Sequence, residues 1–185
     1  MEKSILLQPV QKAPDNGTYD GLLLRLCDEL HGRFGLECKI AAARRLPEYA
    51  FNSLRDQYLA ADILFELKKV KPPDAKRMLG IADADLYAHS LNFVFGQAEL
   101  SGKVAVISIY RLQAPAAQAD DGLLFERTLK EAVHELGHTF GLGHCHDANC
   151  VMHFSNTLSD TDRKTTLCCV MCQARLEAFL RRLQN

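Results

Sequence analysis

The run His134-Glu135-Leu136-Gly137-His138-Thr139-Phe140-Gly141-Leu142-Gly143-His144 holds three imidazoles, a carboxylate and a turn-forming glycine, Gly141. That spacing suits a catalytic zinc site. His134 and His138 stand four residues apart, so on a helix they project from one face and can close on one metal. Glu135 is offset round the cylinder, near enough to reach a metal-bound water without being a ligand. His144 could not join them on a continuous helix, because ten residues at about 1.5 Å each would carry it roughly 15 Å along the axis. The chain must therefore turn back, and Gly141 is the residue that accepts the positive φ of such a turn. Three neutral imidazoles leave the fourth position of a tetrahedral zinc to water, which is a catalytic rather than a structural arrangement.

The element carrying these residues is legible in the pattern. Asp120 and Asp121 are N-cap candidates after the linker-like stretch 114–119. From there to Gly141 the stripe Leu129, Val133, Leu136 and Phe140 predicts a helix with its aliphatic face on a sheet and its imidazoles toward a cleft.

A second constellation follows at once. Cys145 and Cys150, then Cys169 and Cys172, form a Cys-x4-Cys and a Cys-x2-Cys pair with eighteen residues between them. Four thiolates fill a tetrahedral zinc, so this metal would be structural. About a quarter of the chain lies beyond Gly141, and 148–167 is rich in polar residues such as Asn156, Asp160 and Lys164. A piece that small needs a staple, and without metal it reads as a loop. Three alternatives stand beside this reading. Cys169-Val170-Met171-Cys172 could be a redox pair, disulfides could form among the seven cysteines, or Cys168, His146 or His153 could replace one ligand. Cys27 and Cys38 sit among apolar residues and read as buried core thiols.

The His134 to His144 run resembles the long zinc motif of the metzincin metallopeptidases. Followed by Cys145, Cys150-Val151-Met152 and Cys169-x-x-Cys172, it resembles one branch of them, the archaemetzincins. The likeness spans roughly 78–173, upstream through Asp85-Leu86-Tyr87, Phe93 to Ala98 and Tyr110-Arg111-Leu112. It implies an α+β, zincin-like fold: a mixed twisted sheet with helices, an active-site helix and a small zinc-stapled C-terminal subdomain. It implies two zincs, with His134, His138 and His144 as catalytic ligands, Glu135 as general base and Met152 in a methionine turn beneath the metal. From the residues alone, Met152 is a gap-filling core side chain. Cys168 adds a thiol beside the second pair, and Val170 stands where proline is frequent in the family.

At 185 residues the chain suits a single domain burying about 70% of its unfolded surface. The division expected within it is 1–141, with sheet and active-site helix, and 142–185. A net charge of -1 argues against nucleic acid or an anionic membrane as partner, and composition leaves oligomeric state open. No apolar run approaches the roughly 20 residues of a membrane span, and the start Met1 to Leu7 lacks a signal-peptide pattern. Free thiols and thiolate ligands fit a cytoplasmic protein.

Strands are predicted over Ile5–Val10, Leu36–Ala42, Met78–Leu86, Phe93–Leu100 and Val104–Tyr110. Helices are predicted over Tyr19–Gly32, Phe51–Val70 (stopped by Pro72-Pro73) and Gln173–Leu183. Phe93 to Gly96 reads as an edge strand able to pair with an extended peptide, with Gly96 alternatively a bulge. Lys68, Lys69, Lys71, Lys76 and Arg77 read as a solvated helix end.

The chemistry expected is zinc-dependent peptide hydrolysis of short or restricted substrates through a zinc-bound water, with Glu135 as base and then acid. Two rivals use the same residues: a zinc-stabilised peptide-binding module with little turnover, and a hydrolase of non-peptide amides. Three histidines select weakly among zinc, iron, cobalt and nickel.

Overall fold

The computed structural model describes residues 4–14, 17–113 and 121–184. Met1 to Lys3, the stretch 114–119 and the candidate cap Asp120 lie outside the described residues. The first sheet joins β1 (Ser4–Gln11), β2 (Glu37–Ile40), β3 (Arg44–Arg45), β6 (Ala75–Ala82), β9 (Gly96–Ala98) and β10 (Val104–Ser108). Its order is β2-β1-β6-β10-β9, with β3 also on β1; all pairs are parallel except β9 on β10. A second sheet has the order β4 (Phe51–Asn52), β5 (Gln57–Leu59), β7 (Leu86–Ala88), β8 (Leu91–Val94).

Alternation along the central strands sorts side chains to two faces. Ile5, Leu7, Leu79, Ile81, Ala105 and Ile107 share one buried cluster, while Met78, Ala82, Val104 and Val106 share the other. Such near-continuous apolar runs are what a parallel sheet covered on both faces requires. Helices α1 (Asp20–Phe34) and α3 (Asp121–Thr139) close the first face, and α2 (Ala60–Val70) closes the second. The short α4 (Leu158–Arg163) and the terminal α5 (Val170–Gln184) follow α3. The fold is α+β, as anticipated. Leu142, Val151, Met152, Cys172 and Leu176 belong to the same buried cluster as α1 and α3, so residues beyond Gly141 share the main core. No helix among the described residues is long and apolar enough to cross a membrane.

Five expectations need correction. Residues 51–59 are not helical: Asn52 Oδ1 accepts from the backbone N–H groups of Leu54 and Arg55, closing a turn between β4 and β5. The helix and its buried apolar face begin only at Ala60. The predicted strand over 78–86 stops at Ala82, and Leu86 passes to the second sheet. Arg77 is not solvated: it is buried, lies over the Phe140 ring, and donates to Thr139 Oγ1 and to the Thr139 carbonyl at the end of α3. Cys27 and Cys38 are not free thiols; a disulfide joins α1 to β2 with their Cα atoms 5.3 Å apart. Finally, 148–167 is no bare loop. Thr157 caps α4 through a capping box, and Thr161 and Lys164 are buried against α3.

Candidate metal centre and catalytic cleft

Helix α3 carries the first constellation. Leu129, Val133, Leu136 and Phe140 are buried on its sheet side, while His134, Glu135 and His138 line a cleft of about 270 Å³. Gly141 has φ +83°, a conformation an L side chain rarely adopts, and its N–H donates to the His138 carbonyl. The reversal there brings the His144 ring to 5.3 Å from that of His134 and 4.9 Å from that of His138, centroid to centroid. Ring nitrogens of all three lie within 4.8 Å of one another, close enough to share a metal ion.

The tautomers are set by backbone carbonyls. His134 Nδ1 donates to Val151 O at 2.8 Å and His138 Nδ1 to Leu142 O at 2.7 Å. A carbonyl can only accept, so each Nδ1 carries the proton and each Nε2 presents a bare lone pair. These two Nε2 atoms face each other at 3.1 Å. Two lone pairs at that distance repel unless a cation lies between them. Two nitrogens on a tetrahedral zinc stand about 3.3 Å apart, given Zn–N bonds of about 2.0–2.1 Å. Burial also lowers the pKa of all three imidazoles, favouring the neutral form a metal needs.

Beneath the helix, Met152 packs where Gly137 leaves room: a Cβ at Gly137 would sit 2.5 Å from Met152 Sδ. The turn holding Met152 also supplies the Val151 carbonyl that orients His134, so core packing and support of the site coincide there.

Glu135 is buried against the opposite wall. A Cβ at Gly96 would fall 2.6 Å from Glu135 Cγ and 2.6 Å from Oε1, so the glycine is a matter of space. Gly96 is not among the positive-φ glycines, and it follows the bend at Phe95 where the chain passes from β8 in one sheet to β9 in the other. Burial raises the Glu135 pKa well above the usual carboxylate value, and the neighbouring Glu131 adds to the rise; a bound dication would act in the opposite direction. The cleft wall is the run 91–98, whose two strands are the outer strands of the two sheets, β8 in one and β9 in the other.

The cysteines converge as well. Sulfurs of Cys145, Cys150, Cys169 and Cys172 lie within 4.8 Å of one another, with Cys145 and Cys169 at 3.8 Å. Tetrahedral zinc with Zn–S bonds of about 2.3 Å separates its sulfurs by about 3.8 Å. Cys169 precedes α5, and the backbone N–H of Cys172 pulls its pKa down to about 7. Burial pushes Cys150 and Cys172 up. Four sulfurs this close cannot share negative charge without a cation, so the donor set fits a metal. Cys168 lies outside the group, and burial raises its pKa to about 12. His146 and His153 also lie outside it.

Residues 30–178 match the profile of peptidase family M54. The chain belongs to that family. It is a zinc metallopeptidase, a hydrolase of the archaemetzincin kind. An archaemetzincin of Pyrococcus abyssi is 39% identical over 183 residues, covering 96% of both chains. One from Methanopyrus kandleri is 48% identical over 147 residues, 79% of this chain and 81% of that one. The crystal structure of archaemetzincin from Methanopyrus kandleri superposes with TM-score 0.84 at 42% identity, covering 96% of each chain. That of Archaeoglobus fulgidus archaemetzincin, complexed with malonate, gives 0.79 at 39%, covering 93% of this chain and 99% of that one. The family match, from residue 30, reaches well upstream of the 78–173 span that carries the motifs.

What the motifs do not disclose is the support of α3 from the C-terminal segment. Glu131, one turn before Glu135, accepts from Thr161 Oγ1 at 3.0 Å and lies 3.0 Å from Lys164 Nζ. The Lys164 contact is off hydrogen-bond geometry, so the attraction is coulombic. Arg127 is bidentate to Asp162 at 2.7 and 2.8 Å. The signal was present: Arg127, Glu131, His134 and His138 form one polar stripe on the helix, with matching charges in Thr161-Asp162-Arg163-Lys164.

Proposed function

We propose that His134, His138 and His144 hold the catalytic zinc, that Glu135 is the general base and then acid, and that Cys145, Cys150, Cys169 and Cys172 hold a second, structural zinc. The observation carrying this reading is the pair of bare Nε2 atoms of His134 and His138 at 3.1 Å, with His144 folded back beside them. Zinc at the histidines, when bound, acidifies water and polarises the scissile carbonyl. Glu135 accepts a proton on its carboxylate and returns it to the departing amine. Its position supports this, because the carboxyl lines the same cleft as His134 and His138 and is buried there, away from bulk water. Met152 packs under the helix to fix the ligand pair, and Gly141 sets the reversal that presents His144. Residues 142–185 act as a subdomain stapled by the thiolate site.

The substrates in this reading are short or restricted peptides lying extended along 91–98. A wall built from two outer strands, whose free edges an extended peptide can pair with, supports that reading. Rapid degradation of folded proteins would count against it. The deciding variant is Glu135→Gln, measured for zinc content and for peptide hydrolysis. Zinc should be retained while turnover falls by about 10²–10⁴-fold. A variant as active as the wild type would end the assignment of Glu135.

A further inference from the structure

The histidine cleft is continuous with a second, larger hollow of about 880 Å³; the two share Phe93, Phe95 and Asn156. We propose that this hollow is a carboxylate-binding subsite, built on Arg55 and Arg111, that selects peptides carrying an acidic group a few residues from the cut. The proposal rests on the peptidase reading above.

The two guanidinium groups are held in place by one network. Arg111 donates from Nε and Nη2 to the two carboxylate oxygens of Asp85, both at 2.7 Å, and its plane lies 4.1 Å over the Phe93 ring. Asp85 is buried and accepts a third hydrogen bond, from Gln57 Nε2 at 3.0 Å. Gln57 accepts in turn from Arg55 Nε at 2.9 Å. Arg55 Nη2 donates to the Asn92 carbonyl at 3.0 Å, and this guanidinium lies 4.6 Å over the Tyr87 ring.

Each arginine thus engages Nε and Nη2, while Nη1 of each has no protein acceptor among the described residues. Asp85 is occupied by three donors, all from Arg111 and Gln57. Asp56, exposed on the rim, makes no ion pair with either arginine among the described residues. Stacking and edge bonding remove most of the rotamer freedom that an arginine otherwise loses on binding. Guanidinium edges of this kind match the planar carboxylate, the anion that peptides carry. Two sources can supply it: an aspartate or glutamate side chain, or the C-terminal carboxylate of the substrate.

The test uses zinc-loaded full-length protein and matched peptide pairs. One arm compares Asp or Glu with Asn or Gln at each of the flanking positions, in C-terminally amidated peptides. The other compares free and amidated C-termini in peptides without acidic side chains. Binding is read as Kd on the Glu135→Gln protein, so it needs no turnover, and kcat/KM is read on the wild type. Acid peptides in one arm should bind about tenfold more tightly than their amides. Arg55→Glu should abolish that preference, with Arg55→Gln as the milder variant if Arg55→Glu fails to retain zinc. Equal Kd for acid and amide in both arms overturns the subsite, as does a preference that survives loss of the Arg55 charge. Acid-selective binding without cleavage of any peptide would keep the subsite and overturn the peptidase reading instead.

Discussion

Gly96 and Glu135 meet across the cleft so closely that a methyl group on Gly96 would lie 2.6 Å from both Cγ and Oε1 of the carboxylate side chain. The outer strand therefore acts as a template for the carboxyl group, which is confined between Gly96 and its own helix. Position of the carboxylate and path of the strand are one constraint.

Gly96→Ala tests that constraint. The backbone at Gly96 does not need positive φ, so alanine is conformationally acceptable and the clash alone should decide the outcome. Glu135 should be displaced while both metal groups stay intact. A shift of about 1 Å in a reacting group costs on the order of 10²-fold in rate, so kcat/KM should fall by about that factor at unchanged zinc content. Kinetics beside metal analysis would check this; a fully active Gly96→Ala protein would show that Glu135 is not confined by the strand.

Lys164 and Glu131 form a buried pair, the side chains 0% and 4% exposed. Lys164→Met strands the Glu131 charge, and breaking such a pair costs about 3–5 kcal/mol. Urea unfolding of the zinc-loaded protein should show the loss. Adding Glu131→Gln should recover much of it, because the uncompensated charge disappears. If the double variant is as unstable as the single, packing rather than charge sets the cost.

The imidazoles give a pH dependence with a definite sign. Burial lowers the folded-state pKa of His134, His138 and His144 below the usual 6.5. Above 6.5 both folded and unfolded forms are neutral, and the contribution to stability is fully present. As pH falls below 6.5 the unfolded chain takes up protons that the folded chain resists, so stability is lost toward the depressed folded values. Protons compete with metal in the same direction. Zinc release to a chelating dye and thermal unfolding should therefore both shift adversely from pH 7.5 to 5.5. A melting temperature that rises over that interval would contradict the assignment.

Removal of the thiolate site tests whether it holds a zinc of its own beside the one proposed at the histidines. Cys172→Ser, with Cys172 buried in the shared core, should lower the zinc content from two per chain to one. Proteolytic nicking should then concentrate in 148–168, while the imidazole metal remains. Elemental analysis and limited proteolysis would read both effects. Two zincs in the variant would mean that Cys168 or a histidine substitutes for the missing sulfur.

Local pattern carried much of this protein into view. The helix bearing His134 and His138, the break at Gly141 and the pairing of four cysteines follow from periodicity and ligand spacing, because those constraints act between residues near in sequence. Resemblance added Met152 and the zincin-like fold. Other features depend on partners distant in the chain. Lys164 reads as a solvated loop residue until α4 is laid against α3, where Glu131 gives it a reason to be buried. Arg77 reads as part of a basic helix end until Thr139 and Phe140 take it up. Cys27 and Cys38 read as separate thiols until β2 returns beside β1. Gly96 reads equally as part of an edge strand or as a bulge, and only the fold shows that Glu135 fills the space its missing side chain leaves. Sequence determined which side chains could bind metal and move a proton. Tertiary structure decided which charges are buried, which glycine is spatial and what surrounds the cleft, because burial and contact are properties of the packed chain rather than of any segment alone.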